Sequence, residues 1–518
     1  MTSRRTLLTG ASAALAFAAL ANTPARARTA PRFARDPFTL GVASGYPTAS
    51  GVTLWTRLAP EPLAPDGGLD PLDLPVEWEL SDTPEFRRVS RRGKAWAEAT
   101  WGHSVHVDVA DLEPDREYYY RFRSGDARSV VGRTRTAPAA GASRDRLRIA
   151  VASCQMYEHG EYAAYRRIVA DDTDLVVHVG DYIYETSWGV KRVRRHEAGE
   201  CYTLGDYRVR HALYRLDPAL AAAHAACPWL LTWDDHEVDN DYADDVSIED
   251  DDPRLFLARR AAAYQAYYEH LPLPRRAVPY GATMRLHAAV SYGDLLTVLM
   301  LDTRQYRSPH ACPPAGRRGA TRLDPATCPE FSAAQRTMLG ARQEAWVGAQ
   351  LERTRARWNL LAQGLVLASS NEVAPPARRY WTDAWGGYPA ARDRLLGQIE
   401  TSRASNPVVV GGDIHAFVAS NLHRIADDPA SAVVAAELVT TSISSEGTPV
   451  SLLESHLRNN PSMLFGEPRY RGWLRLDVGA SRIDASMIAL DDPYAADSGA
   501  RTLAGFVIEN GKPGLQRG

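Results

Sequence analysis

The chain has 518 residues, 45% hydrophobic and 24% charged, with a formal charge of −3. That balance can bury a large core over more than one domain and excludes a disordered or fibrous protein. The slight acidity, with no long basic run interleaved with aromatics, argues against nucleic acid as a partner; Lys191-Arg192-Val193-Arg194-Arg195 reads as a solvated loop face.

At the start, Ser3-Arg4-Arg5-Thr6-Leu7-Leu8, an apolar stretch to Ala21 and Ala25-Arg26-Ala27 have the layout of a twin-arginine export signal over residues 1–27. The apolar stretch is shorter than the roughly 20 residues that span hydrocarbon. The expectation is export by the twin-arginine machinery to a periplasm or the exterior, with no stable membrane insertion and a monomer as the default state. Removing residues 1–27 takes away Arg4, Arg5 and Arg26 and no acid, so the mature chain is more acidic still.

Residues 36–136 read as a β-sandwich. Short β-rich runs at 39–43, 52–57, 76–80, 103–109, 117–123 and 129–134 are separated by Gly, Pro and Asp turns. The piece Leu112-Glu113-Pro114-Asp115-Arg116-Glu117-Tyr118-Tyr119-Tyr120 resembles the corner of fibronectin type III-like domains, where a Tyr hydroxyl ties a loop to backbone. A small-residue linker at 137–145 follows. From Arg146 to residue 518 strands alternate with helices, which predicts an α/β domain in layers. Strands are expected at 147–153, 174–180, 229–233, 295–301, 358–367 and 408–411, and helices near 162–170, 207–226, 255–269 and 343–355. Two more strands fall in 469–490, and 506–515 closes as a hairpin around Asn510-Gly511.

Five cysteines in an exported chain leave one thiol over. Cys312 and Cys328 flank a Pro/Gly/Arg-rich loop that a bridge would constrain, and are the first expected pair; Cys201 with Cys227 is the second. Cys154 then remains, at the carboxyl end of an apolar strand, where sheets present ligands.

The chemistry collects at such strand ends. Asp181 follows Gly180, which lets the backbone turn so that the carboxylate bridges two cations. Tyr184 is a hard donor whose proton leaves near neutral pH only beside a highly charged ion. With the Cys154 thiolate and the His415 imidazole these make a mixed S/N/O set for one ferric iron. Asp181, Asp235 and Asp413 form an oxygen-only shell, which selects calcium, magnesium or manganese. His236, beside Asp235, is then free to contact phosphate or protonate the leaving alkoxide, and Arg208 is a candidate phosphate clamp. His178, one pleat behind, is expected to support a ligand without binding metal itself.

The segments VASCQMYEHGEY, HVGDYIYE, LTWDDHEVDNDY, LDTRQY and VVVGGDIHAF resemble those of the PhoD-like alkaline phosphatases, a branch of the metallophosphoesterases related to purple acid phosphatases. The branch replaces the usual Asp-x-His, GDxxD, GNHE and GHxH pattern with Cys, Tyr, Asp and GDxH, and this chain carries all four replacements. The resemblance implies a layered α/β/β/α metallophosphoesterase domain behind the sandwich. It also implies iron on Cys154, Asp181, Tyr184 and His415, with one or two calcium ions using Asp181, Asp235 and Asp413. Gly386 stands where the family's WDGYP segment carries Asp, which puts the second calcium in question. The chain ends soon after Asn510, where some members carry an extension over the site; a more open mouth is the expectation.

The activity expected is hydrolysis of phosphomonoesters and phosphodiesters by in-line attack of metal-activated hydroxide, without a phosphoenzyme. A narrower alternative is a phosphodiesterase or phospholipase D acting on phospholipid or teichoic-acid-like diesters. A third reading, of another class, is a non-catalytic surface binding protein.

Overall fold

Two β-sheets face each other across the main core of the computed structural model, which describes residues 25–27, 30–248 and 252–517. The first sheet has ten strands, in the order Gln516–Arg517, Ala500–Glu509, Arg482–Leu490, Gly472–Gly479, Arg146–Ala152, Leu175–Val179, Pro228–Thr232, Val42–Thr48, Gly51–Arg57 and Ser104–Val109. The second has seven, in the order Ala288–Tyr292, Leu296–Met300, Trp358–Ala362, Pro407–Gly411, Val433–Val439, Phe417–His423 and Met463–Glu467.

The central parallel strands Leu175–Val179, Pro228–Thr232, Leu296–Met300, Trp358–Ala362 and Pro407–Gly411 are buried at every residue. Burial on both faces is why they read as unbroken apolar runs. One face of the second sheet, with Leu299, Leu361 and Val409, packs under the helices Gly340–Arg353 and Pro389–Thr401. The helices Ala163–Ala170, Leu204–Arg215 and Pro218–Ala226 add apolar residues to the core of the first sheet, giving the expected α/β/β/α layering.

The frontal sandwich shares a sheet with the α/β part. Its smaller sheet holds Leu72–Ser81, Val89–Ala97, Glu117–Ser124 and Gly132–Arg135. Its other face is the end of the ten-stranded sheet, joined where Pro228 and Trp229 pair in parallel with Ser44 and Gly45. The corner predicted from residues 112–120 is formed: the Glu113 N–H donates to the Tyr118 hydroxyl at 3.1 Å. Arg144, in the linker, joins Asp115 of the sandwich to Asp174 of the α/β part at 2.8 and 2.7 Å.

Several elements differ from expectation. The helix expected at 207–226 is two helices, because Asp217 caps the amides of Ala219 and Leu220 and Pro218 starts a new first turn. The strand Val89–Ala97 escaped notice because it is a charged, half-exposed edge. Most of the export signal lies outside the described residues; Ala25–Arg26 pairs in parallel with Leu72 and Asp73. Among the described residues no helix is long and apolar enough to cross a membrane. Cys312 and Cys328 are bridged, whereas Cys201 and Cys227 are separate buried thiols, which corrects the second expected pairing.

Candidate active site

Four of the expected ligands leave their strands in the left-handed backbone region: Cys154 (φ 56°), Asp181 (φ 56°), Asp413 (φ 64°) and His415 (φ 52°). Non-glycine residues there cost on the order of 1–3 kcal/mol each and persist only where surrounding structure fixes them. That fixing is visible. The Cys154 N–H donates to the Gly180 carbonyl at 3.1 Å and the Gln155 N–H to that of Asp181 at 3.0 Å. The buried Glu237 carboxylate accepts from the amides of Asp181, Tyr182 and Asp234 at 3.2, 2.6 and 2.9 Å. Gly180 is required at φ 116°, and a Cβ there would lie 2.5 Å from that of Asp234.

These turns converge. Donor atoms of Cys154, Asp181 and His415 all lie within 4.8 Å of one another. The Tyr184 hydroxyl is 3.0 Å from Asp181 Oδ2 and 3.0 Å from His415 Nε2. His415 Nδ1 donates to the Glu446 carbonyl at 2.6 Å, and burial lowers its pKa to about 3, so Nε2 keeps its lone pair. Burial, reinforced by Asp181, holds the protons on Cys154 and Tyr184. Burial and Asp235 do the same for Asp181 against the opposing charge of His236. Asp181 Oδ1 is buried without a protein partner. A crowded set of S, N and O donors whose protons a cation would displace fits a transition metal.

Beside it, donor atoms of Asp181, Asp235 and His236 form a second group within 4.8 Å, and Asp235, Asp241 and Asp383 a third. Asp413 lines the same cleft of about 350 Å³ as Asp181, Asp235, His236 and His415, but belongs to none of these tight groups. Asp383 is already neutralised. Arg304 grips it through two bonds of 2.7 Å, and Arg307 and His310 reach it at 3.1 and 3.0 Å. Arg304 also bonds Asp234 Oδ1 at 2.5 Å and lies 3.7 Å from Asp235. At Gly386 a Cβ would sit 3.2 Å from both Ser370 Oγ and Tyr380 Cδ1, so a side chain there is crowded.

His236 is held by Nδ1 on Glu185 Oε2 at 2.7 Å and by ring contact with Tyr184 at 4.2 Å. Burial opposes its charge, but Glu185, Asp235 and Asp181 together push its pKa well above the ordinary value. The charged form of the ring is thereby favoured, and His236 lines the cleft.

Arg208 is a correction. Its guanidinium makes a two-pronged pair with the fully buried Glu269 at 2.7 and 2.6 Å, and it lines no part of the acidic cleft. His178 is likewise no support for a ligand; both its nitrogens are buried without partners, and the ring packs on Tyr182 and Trp229. Sequence reasoning missed Glu185, Glu237, Arg304 and Trp188, whose indole stacks on His415 at 5.8 Å. Glu185, Glu237 and Arg304 lie inside the quoted motifs, which is the one available signal; Trp188 does not.

A profile described as PhoD-like phosphatase matches residues 149–487, and one described as PhoD-like phosphatase, N-terminal domain, matches residues 23–138. The chain is 42% identical over 498 residues to alkaline phosphatase D of Bacillus subtilis (strain 168), covering 94% of this chain and 83% of that one. It superposes on a solved structure of PhoD with a TM-score of 0.89 at 42% identity, covering 94% and 93% of the two chains.

Proposed function

Because the chain belongs to the PhoD-like phosphatase family and is a phosphoric ester hydrolase, we propose that it is an exported, metal-dependent enzyme cleaving phosphomonoesters and phosphodiesters. In this reading Cys154, Asp181, Tyr184 and His415 hold a ferric iron, and Asp181, Asp235 and Asp413 hold calcium. The observation that carries it is the convergence of the Cys154, Asp181 and His415 donors within 4.8 Å, with the Tyr184 hydroxyl 3.0 Å from two of them. Export rests on the Ser3-Arg4-Arg5 layout and Ala25-Arg26-Ala27.

When bound, such ions neutralise phosphate charge and lower the pKa of water. The residues supply the rest. His236, kept protonated by Glu185, donates to a phosphate oxygen or to the departing alkoxide. Arg304 balances Asp234 and Asp383 and so keeps Asp235 facing the cleft. Room for a second ester substituent is supported by a neighbouring cavity that shares Asp413 and His415 with the cleft.

Elemental analysis of protein purified without added metal tests the ion assignment. Roughly stoichiometric iron with calcium is expected, and zinc alone overturns it. Asp181→Asn is expected to remove at least about a hundredfold of nitrophenyl phosphate hydrolysis, as loss of one preorganised charge does; full activity in that variant overturns the site.

A further inference from the structure

His159 stands in the segment VASCQMYEHGEY with Cys154, yet it lines no part of the acidic cleft. It is buried at the end of the short turn Tyr157–His159, and both of its ring nitrogens are engaged. Nδ1 accepts from the Glu446 N–H at 3.1 Å, which leaves the ring proton on Nε2, and Nε2 donates to the Trp188 carbonyl at 2.7 Å. The partners therefore select one neutral tautomer.

Both partners belong to segments that touch His415. The Glu446 carbonyl accepts from His415 Nδ1 at 2.6 Å, and the Trp188 indole stacks on the same imidazole with ring centroids 5.8 Å apart. Ser445, next to Glu446, places its hydroxyl 2.8 Å from that of Tyr184. Thr186 and Trp188 also line the cleft. A second fastening comes from the Glu446 side chain, whose Oε1 accepts from the N–H groups of Val190 and Lys191 at 3.0 and 3.1 Å. Gly189 makes this close approach possible: its φ is 83°, and a Cβ there would collide with His159 Nε2 and come within 3.0 Å of Glu446 Oε1.

We propose that His159 is a positioning residue of the active site. It clasps the strap 186–191 to the turn carrying Glu446, and through that clasp fixes the Trp188 wall of the cleft and the ring plane of His415. The proposal rests on the phosphoesterase reading and adds to it a residue from outside the cleft. Packing alone would accept an apolar side chain. The clasp needs one donor and one acceptor on the same group. Loss of an orienting partner behind a ligating imidazole costs about 10- to 100-fold in metal affinity or activity; His159 acts one bond further back, which sets the expectation at the lower end.

Hydrogen exchange of the peptide spanning 186–192 and kcat/KM for nitrophenyl phosphate, both measured on the metal-loaded full chain, test this. His159→Leu deletes both hydrogen bonds, so exchange is expected to speed up about tenfold or more and kcat/KM to fall about tenfold. His159→Gln again supplies a donor and an acceptor and should return both readouts close to the parent. Gly189→Ala attacks the clasp from the strap and changes no buried side chain. It should reproduce His159→Leu, and it decides the matter alone should that variant fail to fold. Unchanged exchange in Gly189→Ala, faster exchange with unchanged kcat/KM, or equal damage in the Gln and Leu variants overturns the proposal. A parent that leaves nitrophenyl phosphate intact fails the phosphoesterase reading instead, whatever the exchange rates show.

Discussion

The Tyr184 hydroxyl stands 3.0 Å from Nε2 of His415 although 231 residues separate them. It also donates to Asp181 Oδ2 at 3.0 Å and accepts from Ser445 Oγ at 2.8 Å. One phenol therefore ties together the exits of the strands Leu175–Val179 and Pro407–Gly411. Tyr184→Phe keeps the ring contacts with Trp188 and His236 and deletes only the oxygen. We expect iron content to fall far below one per chain while calcium changes little, with activity down about a hundredfold. Iron retained in full would remove Tyr184 from the ligand set.

Glu185 acts through His236. Its carboxylate holds Nδ1 at 2.7 Å, and its other oxygen accepts from the Asn240 N–H at 2.9 Å, so it fixes both the ring and the loop beyond it. His236→Gln is expected to lower kcat by about 10² to 10⁴, the usual range for a general acid. Glu185→Gln should lower kcat by less and leave KM within about twofold, because the imidazole remains but is no longer held charged. The two substitutions together should cost little more than His236→Gln alone. Additive losses would show that Glu185 works independently of the ring.

What the sequence made legible follows from burial. Strands such as Leu175–Val179 and Pro228–Thr232 are covered on both faces, so their residues are uniformly apolar and stand out from their flanks. Their ends are then easy to search for candidate ligands, and Cys154, Asp181, Asp235 and His415 are picked out on that ground. Long-range partnerships were not legible. Glu237 looked like one acid in an acidic run, yet it clasps amides 55 and 56 residues away. Arg304 sat in plain view in LDTRQY, but nothing local says that its partners are Asp234 and Asp383. Arg208 is a further case: nothing local in the helix Leu204–Arg215 says that its partner is Glu269 of the helix Pro253–His270.

Arg304 is fully buried among three carboxylates. Removing it leaves Asp234 without its ion-pair partner and Asp383 with Arg307 and His310 alone. Breaking a buried pair from one side costs about 3–5 kcal/mol, so Arg304→Met should lower unfolding stability by about that amount and reduce kcat/KM through displacement of Asp235. Denaturant unfolding beside steady-state kinetics checks both. A loss under about 1 kcal/mol would mean that the acids are balanced some other way.

Glu437 gives a pH signature remote from the acidic cleft. Burial raises its pKa to about 7, although the Leu367 and Ala368 amides that it accepts from at 2.5 and 3.0 Å, and Arg392, favour the ionised form. A folded-state pKa above the unfolded value contributes stability that is complete below about pH 4.5 and is lost as pH rises through about 7. The contribution lost is about 3 kcal/mol. Urea midpoints measured across that window should therefore decline less steeply in Glu437→Gln than in the parent. An identical slope in both proteins would show that Glu437 titrates normally.

Arg208→Ala distinguishes a structural pair from a phosphate clamp. The Arg208 side chain is 14% exposed and that of Glu269 is 0% exposed, and Gln265 supplies the carboxylate with just one further bond, at 2.8 Å. Stripping the guanidinium leaves a buried charge without its main partner, so stability should fall by about 3 kcal/mol. A clamp would instead raise KM for every phosphoester while sparing the fold. We expect KM to stay within about twofold of the parent and the melting temperature to drop, because this guanidinium holds a helix in place and touches no substrate. A raised KM at unchanged stability would return Arg208 to the catalytic cleft.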